Sequence, residues 1–243
     1  VSETILITGF EPFGGMACNP TMDIVAALHG GRVDGRQVVG RILPVVYEGH
    51  LDRLKSLVDE VDPAVVIGFG LDTDADCIQI ETRGVNHADF TLADNAGVML
   101  KDASLEAGGS AYRLSTFPYD DIRAALEDAH IGAKLSSDAG RYLCNATLFH
   151  LLALAARRPQ PPLCGFIHVP HASEHLAASP SCAGPDARSP DVLSTGKHAL
   201  DLDVMIDAAR IILRETSMVV RRDFAGLRPY DWRDDAAPQI AAR

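Results

Sequence analysis

A thiol, an imidazole and a carboxylate stand in segments whose patterning could make each of them reactive: Cys144, His168 and Glu81. Cys144 lies directly before Asn145, where a strongly apolar stretch of helical character begins. A thiol in the first turn of a helix faces unpaired backbone N–H groups and the positive end of the dipole. Both favour the thiolate, and the same N–H groups can hold a developing oxyanion. His168 sits in Cys164-Gly165-Phe166-Ile167-His168-Val169-Pro170, near the carboxyl end of an apolar strand, where open α/β sheets place their ligand sites. Glu81 closes the alternating stretch Cys77-Ile78-Gln79-Ile80 and opens Glu81-Thr82-Arg83-Gly84-Val85-Asn86. A carboxylate there can orient an imidazole, as the third member of a Cys-His-acid triad must.

Each residue also has an ordinary reading. A free cysteine is usually a small buried hydrophobe, a histidine in an apolar run is usually bonded to a backbone carbonyl, and Glu81 can pair with Arg83. The spacing His168-x-x-His171-x-x-x-His175 raises a metal, but Pro170 breaks the helical geometry it would need, so a metal is not expected there.

The residues that would hold a substrate lie far upstream. Gly9-Phe10-Glu11-Pro12-Phe13-Gly14-Gly15 follows the apolar run Ile5-Leu6-Ile7, so a strand runs into two aromatic rings, a proline and glycines. Glycine lets such a loop turn at positive φ and proline stiffens it, so Phe10 and Phe13 can form a small apolar slot. Around these segments, short apolar runs over 4–8, 40–46, 64–69 and 165–169 predict strands, with a further one near 110–115. Helical period appears over 21–29, 48–60, 119–129, 145–157 and 201–216. Alternation of strands and helices predicts a single α/β domain, a three-layer α/β/α sandwich around a twisted, mostly parallel sheet. That domain is expected over 1–220, with a long polar loop or flap over 172–197 and a C-terminal extension over 221–243.

With 22 Lys plus Arg against 33 Asp plus Glu, the formal net charge of −11 argues against a nucleic-acid or anionic-membrane surface. No apolar run reaches the length of a membrane span and the N-terminus shows neither a basic region nor a signal-type apolar core, so a cytoplasmic protein is expected. The five cysteines are odd in number and scattered, a pattern expected of free thiols in a reducing compartment. The first glycines do not form G-x-G-x-x-G and no Walker lysine follows, so a nucleotide-binding domain is disfavoured.

Taken together and in order, Gly9-Phe10-Glu11-Pro12-Phe13-Gly14-Gly15 with Asn19-Pro20, Glu81 with Asn86, Ala139-Gly140 with Cys144-Asn145, and Gly165-Phe166-Ile167-His168-Val169-Pro170 with Glu174 resemble the pyroglutamyl peptidase I family of cysteine peptidases. Leu43-Pro44-Val45, Asp94-Asn95 and Ser115-Thr116-Phe117-Pro118 extend the resemblance over roughly residues 4–215. It implies removal of an N-terminal pyroglutamyl residue from small peptides, without metal or cofactor, by a homo-oligomer. Cys144 is then similar to the nucleophile, His168 to the general base and later acid, and Glu81 to the residue that orients the imidazole. Phe10, Phe13 and Asn19 resemble the ligand loop, Tyr142 a pocket wall, and Gly70-Leu71 the segment whose backbone meets the lactam amide. A pyroglutamyl ring is flat and uncharged with an amide edge, which suits two apolar faces and backbone partners. Two departures stand out. Thr91 occupies a position where the family usually carries arginine, a role that Arg83 or Arg141 would have to fill in space, and the 71–76 stretch is acidic. They raise a second reading, a catalytically weak binder of lactam-capped peptides or metabolites.

Overall fold

The protein is described by a computed structural model over residues 2–184 and 199–224. In chain order its strands are β1 (Thr4–Phe10), β2 (Arg32–Val33), β3 (Arg36–Leu43), β4 (Val65–Leu71), β5 (Ile78–Glu81), β6 (Arg83–Val85), β7 (Tyr112–Leu114), β8 (Ala133–Ser136), β9 (Leu163–Val169), β10 (His171–Ala172) and β11 (Ala199–Leu200). The helices are α1 (Pro20–Leu28), α2 (His50–Val61), α3 (Tyr119–Asp128), α4 (Leu143–Ala156), α5 (Ser173–Ala178) and α6 (Leu202–Phe224). Seven strands form one sheet in the order β2-β3-β1-β4-β9-β5-β8. Neighbours from β3 to β9 run parallel, β5 and β8 are parallel to each other, and the β5–β9 and β2–β3 pairings are antiparallel.

Side chains alternate across a strand, and this parity decides which residues can meet. Odd-numbered Ile5, Ile7, Val65, Ile67, Phe69, Ile167 and Val169 enter one core, with Ile24 of α1, Ile122 of α3 and Ile212 of α6. Even-numbered Leu6, Phe10, Val66, Cys164 and Phe166 enter the other, with Leu54 and Val58 of α2 and Leu148 and Leu151 of α4. The result is the expected single-domain α/β/α sandwich with a mostly parallel sheet. On β5 the parity reverses, since Ile78 and Ile80 join the first core, so Glu81 faces the second together with His168. Helix α4 is apolar almost all round because it is buried almost all round, between the sheet and the β6–β7 ribbon.

Three local expectations give way. Within the polar stretch over 172–197, residues 173–178 form α5 and Pro180–Ala183 a 3₁₀ turn, while 185–197 lie outside the described residues. Glu174 accepts the Leu202 N–H at 2.9 Å, so its carboxylate caps the start of α6. That helix runs on to Phe224, beyond the 201–216 expected; the rest of the 221–243 extension lies outside the described residues. The cysteines are not all free: Cys18 and Cys182 form a disulfide with Cα atoms 5.1 Å apart, whereas Cys77, Cys144 and Cys164 carry thiols. Odd number and wide spacing hid this pair because the fold brings together residues 164 positions apart.

Candidate active site

His168 is buried near the end of β9, and its Nδ1–H donates to Glu81 Oε1 at 2.8 Å. Antiparallel pairing sets Glu81 opposite Phe166 and Gln79 opposite His168, so carboxylate and imidazole meet diagonally across one sheet face. The Cys144 sulfur interacts with the same imidazole. Burial presses His168 towards its neutral form, but the Cys144 sulfur and the Glu81 carboxylate outweigh burial and hold it up at about 10. Glu81 itself is completely buried, and its Oε2 has no hydrogen-bond partner among the described residues.

Cys144 is the second residue of α4, whose N-cap is Tyr142, so the thiol stands in the first turn among backbone N–H groups. Its sulfur lies against Gly70 of β4: a Cβ there would come within 2.8 Å of Cys144 Sγ and 2.7 Å of Phe166 Cε1. Only a residue without a side chain lets α4 bring the thiol down onto the sheet beside His168. Asn145, next in the helix, accepts the Val85 N–H at 2.8 Å and donates to the carbonyls of Val85 and His87 at 2.9 Å each. One buried amide thereby ties the first turn of α4 to β6.

A narrow cavity opens beside the thiol. It is lined by Phe10, Phe13, Asn19, Val45, Leu71, Tyr142, Leu143 and Cys144. Gly14 and Gly15, at φ 60° and 75°, turn the loop in the left-handed region that glycine tolerates. The carboxylate of Glu11 accepts from Val45 N at 3.0 Å and Asn95 Nδ2 at 2.9 Å, and Asn95 also donates to Pro12 O at 2.9 Å. Asn19 caps α1 by accepting from Thr21 N at 3.1 Å and donates to Glu11 O at 3.2 Å. The Phe13 ring packs at 6.0 Å from Tyr142, whose hydroxyl donates to Ala93 O at 3.3 Å; burial and the nearby Asp94 and Cys144 raise the phenol above its ordinary value.

The sequence pattern of the pyroglutamyl peptidase family matches residues 3–209. The chain belongs to that family. A pyrrolidone-carboxylate peptidase from Pyrococcus furiosus is 37% identical over 172 residues, 71% of this chain and 83% of that one. One from an Enterobacter species is 37% identical over 214 residues, 88% and 94% of the two chains. The crystal structure of pyrrolidone carboxyl peptidase from Pyrococcus furiosus superposes with a TM-score of 0.81 at 29% identity, covering 89% of this chain and 99% of the other. With membership in the pyroglutamyl peptidase family comes the reaction class: the protein is a cysteine-type peptidase, a hydrolase.

In this family member all eight residues singled out from the sequence fall in one region. Cys144, His168 and Glu81 form a contiguous line, and Phe10, Phe13, Asn19, Leu71 and Tyr142 line the cavity with Cys144. Thr91 is exposed, and both candidate arginines are engaged with neighbouring groups. Arg83 donates to Ser137 O at 2.8 Å and lies over the Tyr112 ring, while Arg141 is held by Asp138 and Gly140. The acidic stretch is tied down in part: Asp72 accepts from Gln79 Nε2 at 2.7 Å, and Asp76 pairs with Lys134 at 2.9 Å.

Sequence reasoning missed His50. Its ring stacks on Phe10 at 6.4 Å, and its Nε2–H donates to Thr147 Oγ1 at 2.8 Å, whose hydroxyl donates onward to Leu143 O at 2.7 Å. Burial, with His150 and Arg53 nearby, pushes this imidazole down to about 3, so it is neutral. The signal was available in the spacing His50, Leu54, Val58, which marks the buried stripe of α2.

Proposed function

We propose that the chain removes an N-terminal pyroglutamyl residue from small peptides, with Cys144 as nucleophile, His168 as general base and acid, and Glu81 as the residue that orients the imidazole. The observation that carries this reading is that Cys144 belongs both to the Glu81–His168 line and to the wall of the aromatic slot. A lactam seated between Phe10 and Phe13 presents the carbonyl that follows its ring to the sulfur. The Cys144 thiol gives its proton to His168 Nε2 as its sulfur forms a bond to that carbon, and the first-turn N–H groups of α4 hold the oxyanion. His168 delivers its Nε2 proton to the departing amine as the C–N bond breaks, leaving a thioester. Water then adds to the thioester carbon as His168 takes its proton, and the C–S bond breaks to release free pyroglutamate. Glu81 keeps Nδ1 protonated throughout, so Nε2 remains the nitrogen that exchanges protons.

The slot is uncharged, which suits a blocked terminus: an acidic pocket for an ammonium would serve no purpose against a lactam. Wild-type protein is expected to hydrolyse a pyroglutamyl fluorogenic amide, with loss of turnover after iodoacetamide treatment and in Cys144→Ala. Equal turnover by wild type and Cys144→Ala would remove Cys144 from the mechanism; binding of the amide without any release of amine would favour the weak-binder reading.

A further inference from the structure

The Cys18–Cys182 disulfide joins two segments that both lead to the site. Cys18 directly precedes Asn19, which caps α1 and lines the cavity, and it ends the loop that carries Phe13. Cys182 lies in the 3₁₀ turn that follows α5, downstream of His168 on β9. Two further contacts lie alongside it: Ala17 N–H donates to Ser181 O at 3.0 Å, and His175 of α5 pairs with Asp23 of α1 at 3.1 Å. We infer that this disulfide is a redox-responsive tether that holds the substrate loop in its binding shape, so that opening the tether loosens the slot without displacing His168 or Glu81. The inference rests on the proposed reaction for its kinetic consequence, but not for the state of the tether.

Cys18 is half-buried and Cys182 buried, so an incoming thiolate meets the Cys18 sulfur. Attack there forms a mixed disulfide and expels the Cys182 thiolate, which takes a proton. The second thiol of the reductant then closes on its own sulfur, releasing Cys18 as a thiol and leaving the reductant as a cyclic disulfide; two electrons pass from reductant to protein. The nucleophile makes the opposite demand, because Cys144 acts only when reduced. Activity against dithiol concentration should therefore rise as any oxidised Cys144 is freed and fall as the tether opens.

The test begins with alkylation of the air-equilibrated protein under denaturing conditions. Mass spectrometry should find three modified cysteines, Cys77, Cys144 and Cys164, and five after reduction; five before reduction would overturn the tether. A Cys18→Ser/Cys182→Ser variant should melt roughly 4–12 °C lower than oxidised wild type. Its KM for the pyroglutamyl amide should rise about three- to tenfold with kcat little changed, the signature of lost substrate binding. It should also lose the falling limb of the dithiol curve. An unchanged melting temperature and KM would overturn the holding role. If neither protein turns over the amide, it is the proposed function that fails, and the thiol count together with protease cleavage within residues 11–18 still decides the tether.

Discussion

The imidazole of His168 lies between the Cys144 sulfur and the Glu81 carboxylate, and that placement determines what each of them can do. Desolvation alone would keep it neutral, yet the sulfur on one side and the carboxylate on the other hold it charged well above its ordinary value. In the proposed reaction, a proton is thereby stored at the position where the departing amine needs it. Glu81→Gln preserves shape and an acceptor oxygen but removes the charge and allows the amide to favour the wrong tautomer. Its kcat/KM should drop about 10²- to 10⁴-fold, by analogy with acid-to-amide changes in other triads. Because the lost anion had raised the imidazole, the alkaline limb of the pH–rate profile should move to lower pH. An unshifted limb in that variant would show that Glu81 does not act through His168.

At the scale of elements, the site depends on how closely α4 approaches the sheet, and β4 controls that distance through glycine. Gly70→Ala would set a methyl 2.8 Å from the Cys144 sulfur and 2.7 Å from the Phe166 ring, so it should lower both stability and kcat. Gly165→Ala supplies the comparison: its Cβ would meet the Phe117 ring at 2.4 Å on the opposite face. Both should melt several degrees lower, but only Gly70→Ala should lose activity per folded molecule, read as kcat normalised to titrated active thiol. Equal kcat in the two variants would mean that the α4–β4 approach does not set the geometry of the thiol. The same elements show what the sequence made legible. The central strands β1, β4 and β9 and all five expected helices were readable, because short unbroken apolar runs mark buried strands, amphipathic stripes mark the surface helices, and the length of its apolar run marks the buried α4. The edge strand β8 was not, since four residues of mixed exposure carry almost no pattern. The aromatic slot and the Cys-His-Glu line were recognisable as motifs in order. Their meeting depends on parity across β5 and β9, and on an antiparallel pairing that no local signal announces.

Over the described residues of the molecule, three of the buried histidines, His50, His150 and His168, set opposing dependences of stability on pH. His168 is raised from 6.5 to about 10 on folding, so its contribution is complete below about 6.5 and is lost as pH rises through about 10. His50 and His150 run the other way. Burial is the leading cause that lowers them from 6.5 to about 3 and about 4, so the unfolded chain binds protons in acid that the native state refuses. Their penalty begins below about 6.5 and grows as pH falls towards the folded values. The melting temperature should therefore peak near neutral pH and decline on both sides, and the two limbs should respond to different variants. Glu81→Gln should flatten the alkaline limb. His50→Phe keeps a ring against Phe10 but cannot bind a proton, so between about pH 6 and pH 4 its stability should fall less steeply than wild type. The difference should reach up to about 1.4 kcal/mol per pH unit, the value of one withheld proton. Calorimetry at several pH values separates this from protonation of carboxylates, which both proteins share. Parallel acid limbs for wild type and His50→Phe would mean that His50 binds its proton equally in the folded and unfolded chain, contrary to its burial beneath Phe10.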